Sequence, residues 1–155
     1  KAIEFADLNK NDTLLDAYCG TGTIGLCCSD KVKEVTGVEI VRDAVRDAKM
    51  NAKINNIDNA RFICGDATEY MMNSEEHFSV IIMDPPRKGS TPEFINAVKR
   101  IAPERVVYVS CDPVTLSRDI GLFSDAYELK KVQPVDMFPN SMHVETVVLL
   151  SRKNG

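Results

Sequence analysis

No stretch of this 155-residue chain is apolar for long enough to cross a membrane: runs such as Val147-Val148-Leu149-Leu150 stop far short of the ~18 residues a span requires. No secretory segment is expected. Positive charge is not in excess either. Nineteen Lys and Arg face 23 Asp and Glu, a net charge of −4, which excludes a surface that binds phosphate throughout and, taken alone, speaks against a nucleic-acid partner. The five cysteines, Cys19, Cys27, Cys28, Cys64 and Cys111, include no C-x-x-C pair and have no nearby His, so neither a disulfide framework nor a zinc site is indicated. A reducing, cytoplasmic setting is expected. Internal repeats, low-complexity tracts and linkers are missing, and one domain is expected throughout.

What is present is ordinary for a globular domain: 44% apolar and 27% charged residues with 8 Gly and 7 Pro, enough chain to bury about 68–70% of its unfolded surface. The charge is unevenly spread. Lys1 to Pro85 holds 9 basic and 15 acidic residues, net −6, whereas Pro86 to Gly155 holds 10 and 8, net +2. The second half therefore has room for a local basic face. The chain opens on the helix-like Lys-Ala-Ile-Glu-Phe without an initiator Met, as expected of a fragment of something longer.

Short apolar runs alternate with stretches of helical period, the pattern of a parallel α/β sheet. Strands are expected at Thr13–Ala17, Glu34–Val38, Ala60–Cys64, Val80–Met83 and Arg105–Val109. Helices are expected at Thr23–Ser29, Arg42–Asn55, Thr68–Met72, Pro92–Arg100 and Val114–Phe123. Tyr127–Gln133 and Val144–Ser151 then read as two strands with no room for a helix between them, and such strands pair most easily antiparallel.

Ligands of open α/β sheets sit beyond the carboxyl ends of the parallel strands, and acidic residues gather there. Strand one ends at Asp16 and runs into Gly20-Thr21-Gly22-Thr23-Ile24-Gly25, a G-x-G-x-x-G turn that lets backbone approach a ligand before a helix N-terminus. That motif also occurs as a plain tight turn and in dinucleotide sites. Glu39 ends strand two, placed to accept hydrogen bonds from both hydroxyls of a ribose; Asp66 follows strand three and Asp84 ends strand four. A carboxylate directly before the glycines repels a pyrophosphate but suits a cation, and S-adenosylmethionine carries a sulfonium and an ammonium without phosphate. Asp66 is placed to meet its adenine amino group. Each of these acids singly has a plainer alternative as a helix N-cap or solvated strand end; all of them in register favour the cofactor.

Strand five delivers Cys111 to the same edge. Carbon 5 of uracil is a poor nucleophile, and addition of a thiolate to carbon 6 makes it enolate-like and able to take a methyl group. The following helix N-terminus or Arg87 is expected to stabilise the thiolate. The other four cysteines read as buried structural residues. After methylation the carbon 5 proton must leave, which requires a base; Glu145 is the candidate, because the start of an antiparallel last strand lies where the parallel strands end. His143 reads as an orienting group or plain surface.

The loop Asp84-Pro85-Pro86 resembles the one with which class I methyltransferases hold a target base, but Arg87-Lys88-Gly89 follow it instead of the aromatic residue usual in amine-directed enzymes. Asp84-Pro85-Pro86-Arg87-Lys88-Gly89 with Val106 through Cys111, and Asp136-Met137-Phe138-Pro139 through His143-Val144-Glu145, resemble the two signatures of the TrmA/RumA family of RNA uracil-5-methyltransferases, along nearly the whole chain. The resemblance implies a Rossmann-like class I methyltransferase fold, a mostly parallel seven-stranded sheet with an antiparallel last strand. It implies Cys111 as nucleophile and Glu145 as base. Asp16, Tyr18, Gly20, Gly22, Thr23, Glu39, Ile40, Asp66, Ala67 and Asp84 carry over as positions of an S-adenosyl-L-methionine pocket, and Pro85 and Arg87 as substrate-binding positions, with no metal. The implied partner is RNA, 23S rRNA before tRNA, met by a monomer that binds no membrane. Two residues depart from the family pattern: Asp112 stands where Asn usually follows the Cys, and Asn140 where Gln, His or Tyr is usual. The family's N-terminal parts, commonly an RNA-binding TRAM domain and sometimes iron–sulfur cysteines, are expected outside this catalytic domain. Amine methylation at the Asp84-Pro85-Pro86 loop and a non-catalytic nucleotide-binding module remain alternative readings.

Overall fold

A computed structural model of the chain describes residues 1–137 and 144–153. Seven strands form one sheet: β1 (Thr13–Ala17), β2 (Glu34–Glu39), β3 (Ala60–Cys64), β4 (Val80–Met83), β5 (Arg105–Ser110), β6 (Tyr127–Val135) and β7 (Glu145–Arg152). Their order is β3-β2-β1-β4-β5-β7-β6. β1 to β5 run parallel, and β7 lies antiparallel between β5 and β6, which is the arrangement expected from the sequence.

Helices α1 (Ala2–Ala6), α2 (Thr23–Cys28) and α3 (Arg42–Ile54) cover one face, and α4 (Ala67–Asn73), α5 (Pro92–Ile101) and α6 (Pro113–Phe123) cover the other. Central strands are therefore buried on both sides and read as unbroken apolar runs, as in Val80-Ile81-Ile82-Met83, where all four residues are buried. Their side chains alternate between two cores. Leu15, Ala17, Ile81, Met83, Val106 and Tyr108 meet α4, α5 and α6; Leu14, Val35, Val80, Ile82 and Val107 meet α1 and α2. The guanidinium of Arg105 ties α1 to the sheet: it bonds both oxygens of Asp12 at 3.0 and 2.9 Å and donates to the carbonyls of Ala6 and Asp7.

Element ends follow local chemistry. Thr91 caps α5 by accepting from the Phe94 N–H, with Pro92 in the first turn. The same device starts α4 and α6 one residue earlier than expected, because Asp66 and Asp112 are their caps. β6 continues two residues past its expected end at Gln133. Pro134 does not stop it, since β6 is an edge strand and a missing N–H there breaks no ladder bond.

One close contact depends on glycine. Gly37 pairs with Phe62 across β2 and β3, and a Cβ on Gly37 would lie 2.4 Å from the Phe62 ring. Gly37→Ala is therefore expected to cost about 1–3 kcal/mol of stability through overpacking. In a Phe62→Leu background the alanine should cost less. Equal costs in the two backgrounds, measured by urea unfolding, would show that the ring is not the obstacle.

Candidate active site

The site grows from the carboxyl ends of β1, β2, β4 and β5. After β1 the chain turns sharply through Tyr18, Gly20 and Gly22, with φ values of 63, 53 and 81°. Glycine adopts this left-handed backbone freely, whereas a tyrosine held there costs about 1–2 kcal/mol. Tyr18 is retained by packing on Phe94, ring centroids 5.5 Å apart. The Gly22 N–H closes the turn on the Cys19 carbonyl at 2.8 Å, and Gly22 itself caps α2 ahead of Thr23.

Glu39 stitches this turn to the end of β2. One of its oxygens accepts from the Gly20 N–H at 3.0 Å and the other from Val41 N–H at 2.8 Å. Each carboxylate oxygen keeps a further lone pair for a ligand hydroxyl. Asp66 caps α4 by accepting from Glu69 N–H at 2.9 Å, so the plain alternative and the ligand position coincide: the cap uses one oxygen. Asp16 is buried, 1% exposed, and its Oδ2 accepts from the Gly25 N–H at 2.8 Å. Gly25 permits this contact, since a Cβ there would lie 2.9 Å from the same oxygen.

A hollow of about 400 Å³ opens among these ends, lined by Tyr18, Glu39, Ile40, Asp66, Ala67 and Asp84 together with Thr68, Pro86, Lys88 and Thr91. Of the expected cofactor positions, Asp16, Gly20, Gly22 and Thr23 lie outside its wall; the first is beneath it and the others build the turn beside it. A wider hollow of about 630 Å³ lies along the outer side of α4, sharing Gly65 and Asp66. The smaller one is nearer the chemistry, because Asp84 lines it and also feels the Glu145 carboxylate.

Register brings Cys111 and Glu145 to the same end of the sheet. Ser110 is paired with Thr146 across β5 and β7, so Cys111 and Glu145 are the next residues on each side of that rung. Both are half-buried. The Asp84 side chain opens to solvent at the mouth of the hollow, yet the surrounding protein, and then the Glu145 charge, push its pKa up to about 6.

Three expectations are revised. Arg87 and the N-terminus of α6 do not stand free to stabilise a Cys111 thiolate. Asp112 occupies both: its Oδ1 accepts from Val114 and Thr115 N–H at 2.9 and 3.1 Å, and its Oδ2 lies 3.6 Å from Arg87 Nε. These contacts, the helix N–H bonds foremost, hold the Asp112 carboxyl below its usual range. Pro85 is buried and Arg87 exposed, and the wall of the hollow is built from the alternate residues Pro86 and Lys88. Of the cysteines read as buried, Cys27 and Cys64 are exposed, one turned outward on α2 and the other at the end of edge strand β3. Cys19 and Cys28 are buried, and burial pushes their thiols up to about 12. His143, Asn140 and the Phe138-Pro139 pair lie outside the described residues. Thr68 and Thr91 were missed, and no motif marks them; Pro86 and Lys88 stood inside the quoted signature.

Burial, opposed in part by the Gly25 N–H, raises the Asp16 pKa from about 3.8 to about 7. The folded chain thus holds a proton that the unfolded chain has released. Asp16 favours folding below its unfolded pKa, and that contribution is lost as pH rises from about 4 to 7. Asp16→Asn keeps an acceptor for Gly25 and cannot ionise. Without ligand, its stability relative to wild type should climb over this window, by on the order of 4 kcal/mol, and level off above it. A variant-to-wild-type difference in urea unfolding that does not change with pH would contradict this origin.

A family model described as tRNA (Uracil-5-)-methyltransferase matches residues 1–153. A Clostridium tetani protein named an uncharacterized RNA methyltransferase is 49% identical over 155 residues, 97% of this chain and 34% of that protein. A counterpart from Oceanobacillus iheyensis is 47% identical over 157 residues, again 34% of its length. The chain thus spans about a third of the length of these curated relatives. Among solved structures, Pyrococcus abyssi tRNA (uracil-54, C5)-methyltransferase in complex with S-adenosyl-L-homocysteine is 33% identical, with a TM-score of 0.83 over 96% of this chain and 36% of that one. The shared architecture is the class I methyltransferase fold. Matched by the family model over residues 1–153 and nearly half identical to relatives across the same length, this chain belongs to the tRNA (uracil-5-)-methyltransferase family.

Proposed function

We propose that this chain carries out methyl transfer to carbon 5 of a uridine in RNA, with S-adenosylmethionine as donor. The observation that supports the reading is the β5–β7 register, in which the Ser110–Thr146 rung is followed by Cys111 on one strand and preceded by Glu145 on the other, at the sheet end where Asp84 lines the hollow and feels the Glu145 charge.

The hollow fits the donor in size and chemistry. Its volume of about 400 Å³ lies in the ~300–1,000 Å³ range of small-molecule sites. Glu39 would hold the ribose hydroxyls and Asp66 the adenine amino group, with the exposed Ile40 side chain giving the base an apolar face. Acidic walls favour a cation. When bound, S-adenosylmethionine supplies an electrophilic methyl group.

The Cys111 thiolate adds to carbon 6 of the uracil, and the electron pair of the 5,6 double bond makes carbon 5 nucleophilic. Once carbon 5 is methylated, Glu145 takes its proton, the double bond re-forms and the thiolate leaves. A paired or stacked uridine must first be flipped out toward Cys111. Arg87 and Lys88 place positive charge beside this opening, where RNA would meet the chain. The Pro134–Pro139 segment favours 23S rRNA; a tRNA is the alternative, in keeping with the activity named for the Pyrococcus abyssi enzyme.

With the full-length protein, RNA bearing 5-fluorouridine at its target should give a stable adduct through Cys111, because fluorine cannot leave as a proton does. Cys111→Ala should form none. Failure of the wild-type protein to form the adduct on any RNA class, or retained methylation by Cys111→Ala, would refute the mechanism. Glu145→Gln should slow turnover by about 10²–10⁴-fold and accumulate the methylated covalent intermediate on ordinary RNA. Release of product at the normal rate would remove Glu145 as the base. Mapping of the methyl group on rRNA and tRNA from cells lacking the protein identifies the RNA class, and a methyl found on an exocyclic amine would overturn the carbon 5 assignment.

A further inference from the structure

α6 begins two residues after Cys111 and presents one face to the Asp84–Ser90 loop. Thr115 Oγ1 lies 3.2 Å from the Arg87 carbonyl and 3.2 Å from that of Asp112, and shares its one proton between them. Arg118 Nη2 donates to the carbonyls of Lys88 and Ser90 at 3.0 and 3.2 Å. Asp119 Oδ2 accepts from the Ser90 N–H at 2.7 Å. Residues 115, 118 and 119 share a helical face, so three side chains from one rigid element make four bonds to three loop residues, Arg87, Lys88 and Ser90. Every one of these bonds ends on loop backbone. They set the path of the loop whatever its side chains are.

Asp119 is fully buried, with the Tyr108 hydroxyl at 2.7 Å and Arg118 Nε at 2.8 Å completing its partners. A buried carboxylate is tolerated only with such a set of donors. Gly89 shows how close the loop lies: its φ is 79°, and a Cβ there would come within 2.6 Å of Asp119 Oδ2. At its other end the loop carries Asp84, Pro86 and Lys88 into the hollow.

We propose that Thr115, Arg118 and Asp119 are positioning residues for the reaction: their hold on residues 87–90 sets the Asp84–Ser90 loop at a fixed distance from the strand end that bears Cys111. This rests on the covalent mechanism proposed above. A loop released from α6 drifts relative to the thiol, and a shift of about 1 Å in a reacting geometry costs up to ~100-fold in rate.

The test uses the full-length protein, S-adenosylmethionine and RNA with 5-fluorouridine at the target, with the rate of adduct formation measured at saturating RNA. Arg118 is half exposed at 53%, so Arg118→Ala should fold. With S-adenosylmethionine also saturating, so that a weaker hold on the donor by the loop's own Asp84, Pro86 and Lys88 does not enter, it is expected to slow adduct formation by about 10- to 100-fold. Arg118→Lys, which can still donate to a carbonyl, should recover part of the rate, and Thr115→Val should slow it where Thr115→Ser does not. An Arg118→Ala protein that forms adduct at the wild-type rate overturns the proposal. So does a loss of stability without a change in the rate per folded molecule. A wild-type protein that forms no adduct overturns the mechanism itself, and the positioning role with it.

Discussion

The antiparallel register between β5 and β7 is the constraint on which the site depends. Parallel strands deliver their carboxyl ends to one edge, and a strand of opposite direction delivers its beginning there. By entering between β5 and β6, β7 brings Glu145 beside the residue that follows Ser110. Side chains alternate along a strand, so a slip of one residue would turn Glu145 to the other face. The register is held by burial, since Val147, Val148, Leu149 and Leu150 are all inside, alternately in the two cores. Hydrophobic packing far from the chemistry thereby fixes which carboxylate accompanies the thiol.

Around that pair the structure concentrates carboxylates and gives each a separate restraint. Glu39 is held by two backbone N–H groups, Asp66 and Asp112 cap helices, and Asp16 sits under the first turn of α2. Gly25 makes the last of these contacts possible, because a Cβ there would lie 2.9 Å from the Asp16 oxygen. The same grouping accounts for the −6 balance of the first half: part of that charge belongs to a ligand-facing edge rather than to the outer surface. Net charge is therefore a poor guide to local chemistry here, because it averages an acidic site with the rest of the surface.

Much of the fold was legible because its signals are local. β1 and β4 begin and end where the apolar runs do, since burial on both faces leaves no room for polar alternation. β6 was read too short because Pro134 stops a central strand but not an edge, and edge position is a property of the whole sheet. Asp112 departs from the Asn usual in the family; in the fold it caps α6 and also meets Arg87, which the residue type alone does not reveal. Cys27 and Cys64 were misread because exposure depends on which face of a helix or which strand of a sheet a residue occupies.

Residue types and their spacing alone determined the order of elements, the acidic ends of the parallel strands, and the presence of a thiol after β5 and a glutamate at the start of β7. Those features depend on periodicity, turn chemistry and reactivity, which operate within a few residues of chain. Only the tertiary structure decided that Asp16 is buried, that Pro86 and Lys88 rather than Pro85 and Arg87 line the hollow, and that α6 grips the loop through Thr115, Arg118 and Asp119. Each of these depends on partners far along the chain, as with Ser90 and Asp119, 29 residues apart, and no local pattern encodes which distant backbone groups the folded sheet will bring within a hydrogen bond.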